Sequence, residues 1–82
     1  MCQHRVTNEN TEYFYGFDNF LEEFFIIKDF EEDETILVGS GGEFPGTHGY
    51  MLDQIYTNSL EDLIPPEHLK KIGLDLPCCD RT

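Results

Sequence analysis

Carboxylates recur at short intervals through the middle of this chain: Asp18, Glu22, Asp29, the run Glu31-Glu32-Asp33-Glu34, and then Glu43 and Asp53. A one-signed set of acceptors of this kind can hold a metal ion or meet a cationic surface. The metal reading of the run fails on its pattern, because a calcium loop of the EF-hand type needs alternating acids around a central glycine. The cationic-surface reading rests on spacing. Four residues span about 6 Å of helix axis, and at 100° per residue Asp18, Glu22 and Asp29 share one stripe. That is the scale on which charge recurs along nucleic acid, where a duplex carries one negative charge per about 1.7 Å. A row of this kind can lie in the basic groove of a nucleic-acid-binding protein. The predicted partner-binding residues are therefore Asp18, Glu22, Asp29, Glu31, Glu32, Asp33 and Glu34, followed by Glu43 and Asp53.

Other arrangements of reactive residues are weaker. Val38-Gly39-Ser40-Gly41-Gly42 has the glycine content of a phosphate-binding turn. It lacks the following lysine, however, and Glu43 puts a negative charge where a phosphate would sit. Ser40, His48 and Asp53 are the right residue types for nucleophilic hydrolysis, but a nucleophile elbow needs glycine two residues before the serine, and Val38 stands there. Cys2, His4, Cys78 and Cys79 would make a reasonable zinc set if the two ends of the chain met. Cys-x-His is closer than the usual ligand gap, and adjacent cysteines strain a tetrahedron. No cofactor is implied, no metal ligands are assigned, and no acid–base pair or nucleophile speaks for an enzyme.

The charge balance favours the same reading as the carboxylates. In 82 residues, 17 Asp and Glu face 5 Lys and Arg, for a net charge of −12. From Val6 to Leu69 the acids number fifteen and Lys28 is the one base; Arg5, Lys70, Lys71 and Arg81 lie near the ends. Like charges work against compaction, and solubility alone asks for a net charge of only about 2–8 in magnitude. The field is repelled by phosphates and by anionic lipid, which disfavours direct contact with nucleic acid or a membrane surface. No basic, apolar leader pattern opens the sequence, so no signal peptide is expected, and no apolar run approaches the roughly 20 residues that span a bilayer. Three cysteines cannot all pair within one chain, so a reducing, cytoplasmic compartment is expected.

The length gives one domain with one modest core. Eleven aromatics, 13% of the residues, supply that core and set the chain apart from a disordered acidic tail. Most of the aromatics are expected inside, with one or two left out as interface anchors. The first ten residues read as a loose segment. Thr11–Phe17 is a short strand with Tyr13 and Tyr15 on one face. Phe20, Leu21, Phe24 and Ile27 recur at helical spacing and predict a helix capped by Asp18 that runs through Lys28 or Phe30; a strand over Phe24–Ile27 is the competing reading. Thr35–Val38 reads as a strand, residues 39–49 as a loop, and Tyr50–Tyr56 gathers its apolar residues better as a helix than as a strand. Ser59 and Asp62 mark a helical turn ending before Pro65. Pro66 opens a short helix to Ile72, with Glu67 in its first turn, Lys70 and Lys71 in its last, and Gly73 as its cap. The expected fold is α+β: a short antiparallel sheet packed on one main helix plus a short C-terminal helix.

In composition, though by no motif, the chain resembles the small acidic proteins that bacteriophages make against host defences, anti-CRISPR proteins and DNA mimics among them. The resemblance implies a non-enzymatic inhibitor that binds a basic nucleic-acid-binding protein or nuclease complex and blocks its nucleic-acid site, in the host cytoplasm. Two other readings share part of the evidence. One is an immunity protein that neutralises a basic toxin nuclease. The other is a small metal-stabilised accessory subunit.

Overall fold

The computed structural model describes residues 2–78. Among them, strands β1 (Cys2–Asn8), β2 (Thr11–Asp18), β3 (Glu23–Phe30) and β4 (Asp33–Val38) form an antiparallel meander in the order β1-β2-β3-β4. Helices α1 (His48–Thr57) and α2 (Pro66–Gly73) follow. This is the expected α+β class. No helix among the described residues is long and apolar enough to cross a membrane.

The main correction concerns residues 18–30. They form a turn and β3, not a helix. The apolar residues satisfy both periods: Phe24 and Ile26 are fully buried on one face, while Phe25 and Ile27 are half-buried on the other. The bulky run fits a pleated ribbon with apolar contacts on both sides. The main helix is instead α1, which packs on β3 and β4. Within the segment expected to be loose, Cys2–Asn8 forms a strand. Cys2–Asn8 pairs along its length with β2, from Cys2 opposite Phe17 to Asn8 opposite Thr11. Alternation of Val6 toward the core with Arg5 and Thr7 away from it is what an edge strand requires.

Strand alternation and register give the sheet two unlike faces. Tyr13, Tyr15, Phe24, Ile26 and Val38 meet Met51, Ile55, Leu60, Ile64, Ile72 and Cys78 from the helical side to make the core. Phe17 stands edge-on to Phe24, with centroids 5.0 Å apart. A buried polar contact ties the layers together: the Tyr15 hydroxyl and His68 Nδ1 on α2 are 2.7 Å apart. β1 also meets the last of the described residues, since His4 Nε2 donates to the Cys78 carbonyl at 2.8 Å.

The glycine-rich loop crosses from the sheet to the helical layer and is pinned on the way. Phe24 N–H donates to Gly46 O and Phe44 N–H to Leu37 O. A Cβ at Gly46 would lie 2.6 Å from both the Phe24 carbonyl and Glu23 Cβ, so only glycine allows this approach. Both helices end in paired bonds around a left-handed residue. Leu60 N–H reaches Ile55 O and Ser59 N–H reaches Tyr56 O, with Ser59 at φ 59°. Leu76 N–H reaches Lys71 O and Asp75 N–H reaches Ile72 O, with Asp75 at φ 61°. These are Schellman closures. The second corrects the sequence reading: Gly73 is the last helical residue, and Asp75 takes the left-handed position. The expected turn before Pro65 is present, with Leu63 and Ile64 N–H both donating to Leu60 O.

Candidate functional site: an acid-rimmed open sheet face

No helix packs on the face of the sheet turned away from α1 and α2; at its β4 side the glycine-rich loop lies against Phe25 and Ile36. Its residues follow from alternation and register. One row across the strands reads Thr7, Glu12, Asp29, Glu34. The next reads Arg5, Phe14, Ile27, Ile36. Then come Gln3, Gly16 and Phe25, and finally Asp18 opposite Glu23. Apolar side chains thus form a band across the middle, and carboxylates stand at both ends of it. From Glu23 to Asp29 is six residues of strand, so the two acidic ends lie about 20 Å apart.

The end containing Asp29 is the denser. The meander brings the β1–β2 turn and the β3–β4 turn to the same end of the sheet, so Glu9, Glu31, Glu32 and Asp33 join Glu12, Asp29 and Glu34 there. Neighbouring strands are about 4.8 Å apart, which makes Glu12, Asp29 and Glu34 a regular row of charges, more widely pitched than the roughly 3.4 Å rise per phosphate of one nucleic-acid strand. The one cation on this face among the described residues is Arg5, 3.4 Å from Glu12. Lys28 lies opposite Tyr13 and Thr35, on the helix-facing side.

The tip of the β3–β4 hairpin is conformationally expensive. Glu31 and Glu32 carry φ of 52° and 68°. Two positive φ angles in a two-residue connection define a type I′ turn, which favours Asn-Gly. Glutamates there are exposed, and they hold their charge at the extreme edge of the molecule at a cost in backbone strain.

The opposite end is built differently. The Asp18 Oδ1 accepts from the N–H groups of Phe20 at 2.9 Å and Leu21 at 3.3 Å, which fixes the β2–β3 turn. Glu23 Oε1 accepts from Ser40 N–H at 2.7 Å. The turn holds Phe20 out in solvent at 92% exposure. Beside it lies an open cleft of about 220 Å³, with Leu21, Phe25, Ile27, Ile36 and Val38 as its apolar walls and Gln3, Asp18, Glu23 and Ser40 around them.

The predicted partner-binding residues therefore separate into groups. Asp29, Glu31, Glu32, Asp33 and Glu34 gather at one end. Asp18 and Glu22 belong to the other, where Glu22 sits in the turn at φ 56°, and Glu43 lies near it beside the end of β4, its N–H donating to Ile36 O. The helical stripe of Asp18, Glu22 and Asp29 does not exist. Asp53 lies on α1, on the helical side, exposed beside Thr47, Gly49 and Tyr50. Sequence reasoning missed Glu9, Glu12 and Glu23, whose place depends on strand register, and did not bring Phe14, Phe25, Ile27 and Ile36 together as one apolar band.

The weaker arrangements do not assemble. His48 Nδ1 faces Asp75 at 3.5 Å, the Ser40 N–H bonds Glu23, and no hydrogen bond joins Ser40, His48 and Asp53. Glu31–Glu34 is a hairpin turn and the start of β4, not an ion loop. Among the described residues no group of three or more His, Cys, Asp or Glu is placed to hold a metal. Of the zinc set, His4 bonds the Cys78 carbonyl and Cys78 is buried, while the Cys2 side chain and Cys79 lie outside the described residues. No family model, curated protein or solved structure matches the chain.

Proposed function

We propose that this protein is a non-enzymatic inhibitor that docks on a basic nucleic-acid-binding protein and blocks its nucleic-acid site, acting in the cytoplasm of the host cell. The observation that carries the reading is the row Glu12, Asp29, Glu34 at the end of the open face, extended by the hairpin tips. A phosphate backbone offers a groove regularly spaced negative charge on a stiff support. This sheet offers the same, with the support supplied by hydrogen-bonded strands whose other face is a packed core. Such a field steers association with a cationic surface and is weakened by salt.

The test is a competition. The protein is immobilised and exposed to nuclease-treated bacterial lysate, and the captured proteins are identified. The reading expects basic nucleic-acid-binding proteins that are displaced by added duplex DNA or RNA, and that are lost when Asp29, Glu32 and Asp33 are reversed to lysine. Capture that survives those reversals at physiological salt, or that nucleic acid cannot displace, would refute it. A tight pairing with one toxin nuclease would favour the immunity-protein version of the same physics, since such pairs reach dissociation constants of about 10⁻¹⁴ M.

A further inference from the structure

We infer that the apolar cleft on the open sheet face is the docking site for an arginine side chain of the basic partner, flanked there by apolar residues. This rests on the reading above in taking the partner as a cationic protein, and it adds which part of the surface sets specificity and what that part recognises.

Three features lead to arginine. The walls at Leu21, Phe25, Ile27 and Ile36 are apolar, so they match a long aliphatic stem better than a compact polar group. Asp18 and Glu23 are direct cross-strand neighbours at the same cleft. Two like charges held opposite each other destabilise the sheet, and a cation between them removes that repulsion. Each carboxylate is also already positioned, because one oxygen of each is bonded to backbone N–H groups. A guanidinium presents a planar fork that can bridge two carboxylates and lie on an aromatic ring, here Phe25; an ammonium is a point charge and can do less of this.

Charge also decides against a second copy of this chain as the occupant. Two such faces brought together would set Asp18 and Glu23, and the carboxylates of the opposite end, against a partner of the same net charge of −12. The face fits a surface of opposite sign.

The experiment uses the full chain labelled with ¹⁵N and four capped pentapeptides, Gly-Leu-Xaa-Leu-Gly, with arginine, lysine, citrulline or glutamate at Xaa. Citrulline keeps the shape of arginine and removes its charge. The arginine peptide is expected to shift the amides of Leu21, Phe25, Ile27, Ile36 and Ser40, and to bind at least about fivefold more tightly than the citrulline peptide, with lysine between. Asp18→Asn and Glu23→Gln, which keep the turn's acceptors and the side-chain shape, are expected to erase that preference while the rest of the spectrum stays in place.

Equal binding of the arginine and citrulline peptides would overturn the proposal. So would shifts confined to Glu31–Glu34 or to the helices, no shift at millimolar peptide, or a dimer in sedimentation that Phe25→Ser dissolves. The two readings fail separately. Lysate capture that is sensitive to Asp29→Lys, with no response to the arginine peptide, sinks only the cleft. Arginine binding in the cleft with no capture of nucleic-acid-binding proteins sinks only the function proposed above.

Discussion

Asp29 on β3 stands directly opposite Glu34 on β4, on the sheet face that no helix covers. Across its other edge it faces Glu12 of β2. A central strand has thus placed one carboxylate between two others, where each like-charge pair costs rather than contributes.

This gives the first prediction. Asp29→Lys converts two repulsive cross-strand pairs into attractive ones, and each such pair is worth roughly 0.2–1 kcal/mol. The variant is expected to be more stable than the parent by about 1 kcal/mol in urea unfolding, with a smaller gain in 0.5 M salt as screening weakens both the old repulsion and the new attraction. It is also expected to lose partner capture. A stable variant that no longer binds would show that the row is kept at the expense of the fold. Equal or lower stability at low salt would show that the three carboxylates do not interact as the register implies.

The β3–β4 turn gives the second. Glu31 and Glu32 occupy left-handed conformations at φ 52° and 68°. Non-glycine residues pay about 1 kcal/mol or more each in that region. Replacing the pair with Asn-Gly fits the turn type and is expected to stabilise the protein by about 1–2 kcal/mol. Part of any gain comes from removing two charges, so the measurement is made in high salt, where the backbone contribution persists. A gain that vanishes under those conditions would assign the effect to charge alone.

The ease with which each part could be read from the sequence follows how local its cause is. α2 was legible almost to the residue because proline, an early acid and late bases act within two turns of helix. Its cap was misread, since a glycine at position 73 outweighed the aspartate that the folded chain uses at position 75. β2 and the last residues of β4 were legible from alternation and β-branching. β3 was not, because Phe24 and Ile27 recur at helical spacing with Phe20 and Leu21 of the preceding turn, while the run from Phe24 to Ile27 fits a ribbon with apolar contacts on both faces equally well. The candidate site fared likewise. The run Glu31–Glu34 declared itself as a cluster, but Glu12 and Glu23 join the site only through pairing with residues far along the chain, and no local pattern announces a register.

The third prediction concerns the join between the layers. The Tyr15 hydroxyl and His68 Nδ1 lie 2.7 Å apart where both residues are buried, at 1% and 3% exposure. Tyr15→Phe removes one side of that contact and keeps the ring that packs beside His4 and His68. Truncating one partner of a buried hydrogen bond costs about 1–3 kcal/mol, and a loss in that range is expected in urea. Partner capture by the folded fraction should be unchanged, because this contact lies on the helical side of the sheet. A loss of capture at full folding would mean that the helical layer belongs to the interface.

The last prediction is a pH dependence with a definite sign. Burial pushes the Tyr13 phenol above its ordinary value of 10.0, because the charged phenolate is poorly solvated beneath the helices. Below pH 10 both folded and unfolded chains keep the proton, and Tyr13 adds no slope. Above pH 10 the unfolded chain releases it while the folded chain still holds it, so unfolding frees a proton and stability falls as pH rises, until the folded value is passed. The informative quantity is the difference between the parent and Tyr13→Phe, which isolates this phenol. Below pH 10 that difference is expected to be flat. Above it, the phenylalanine variant should lose stability less steeply, which urea midpoints taken from pH 8 to 11.5 would resolve. Parallel curves across the whole range would mean that the Tyr13 hydroxyl is solvated in the folded state, and that the sheet beneath α1 and α2 is less tightly closed than its burial implies.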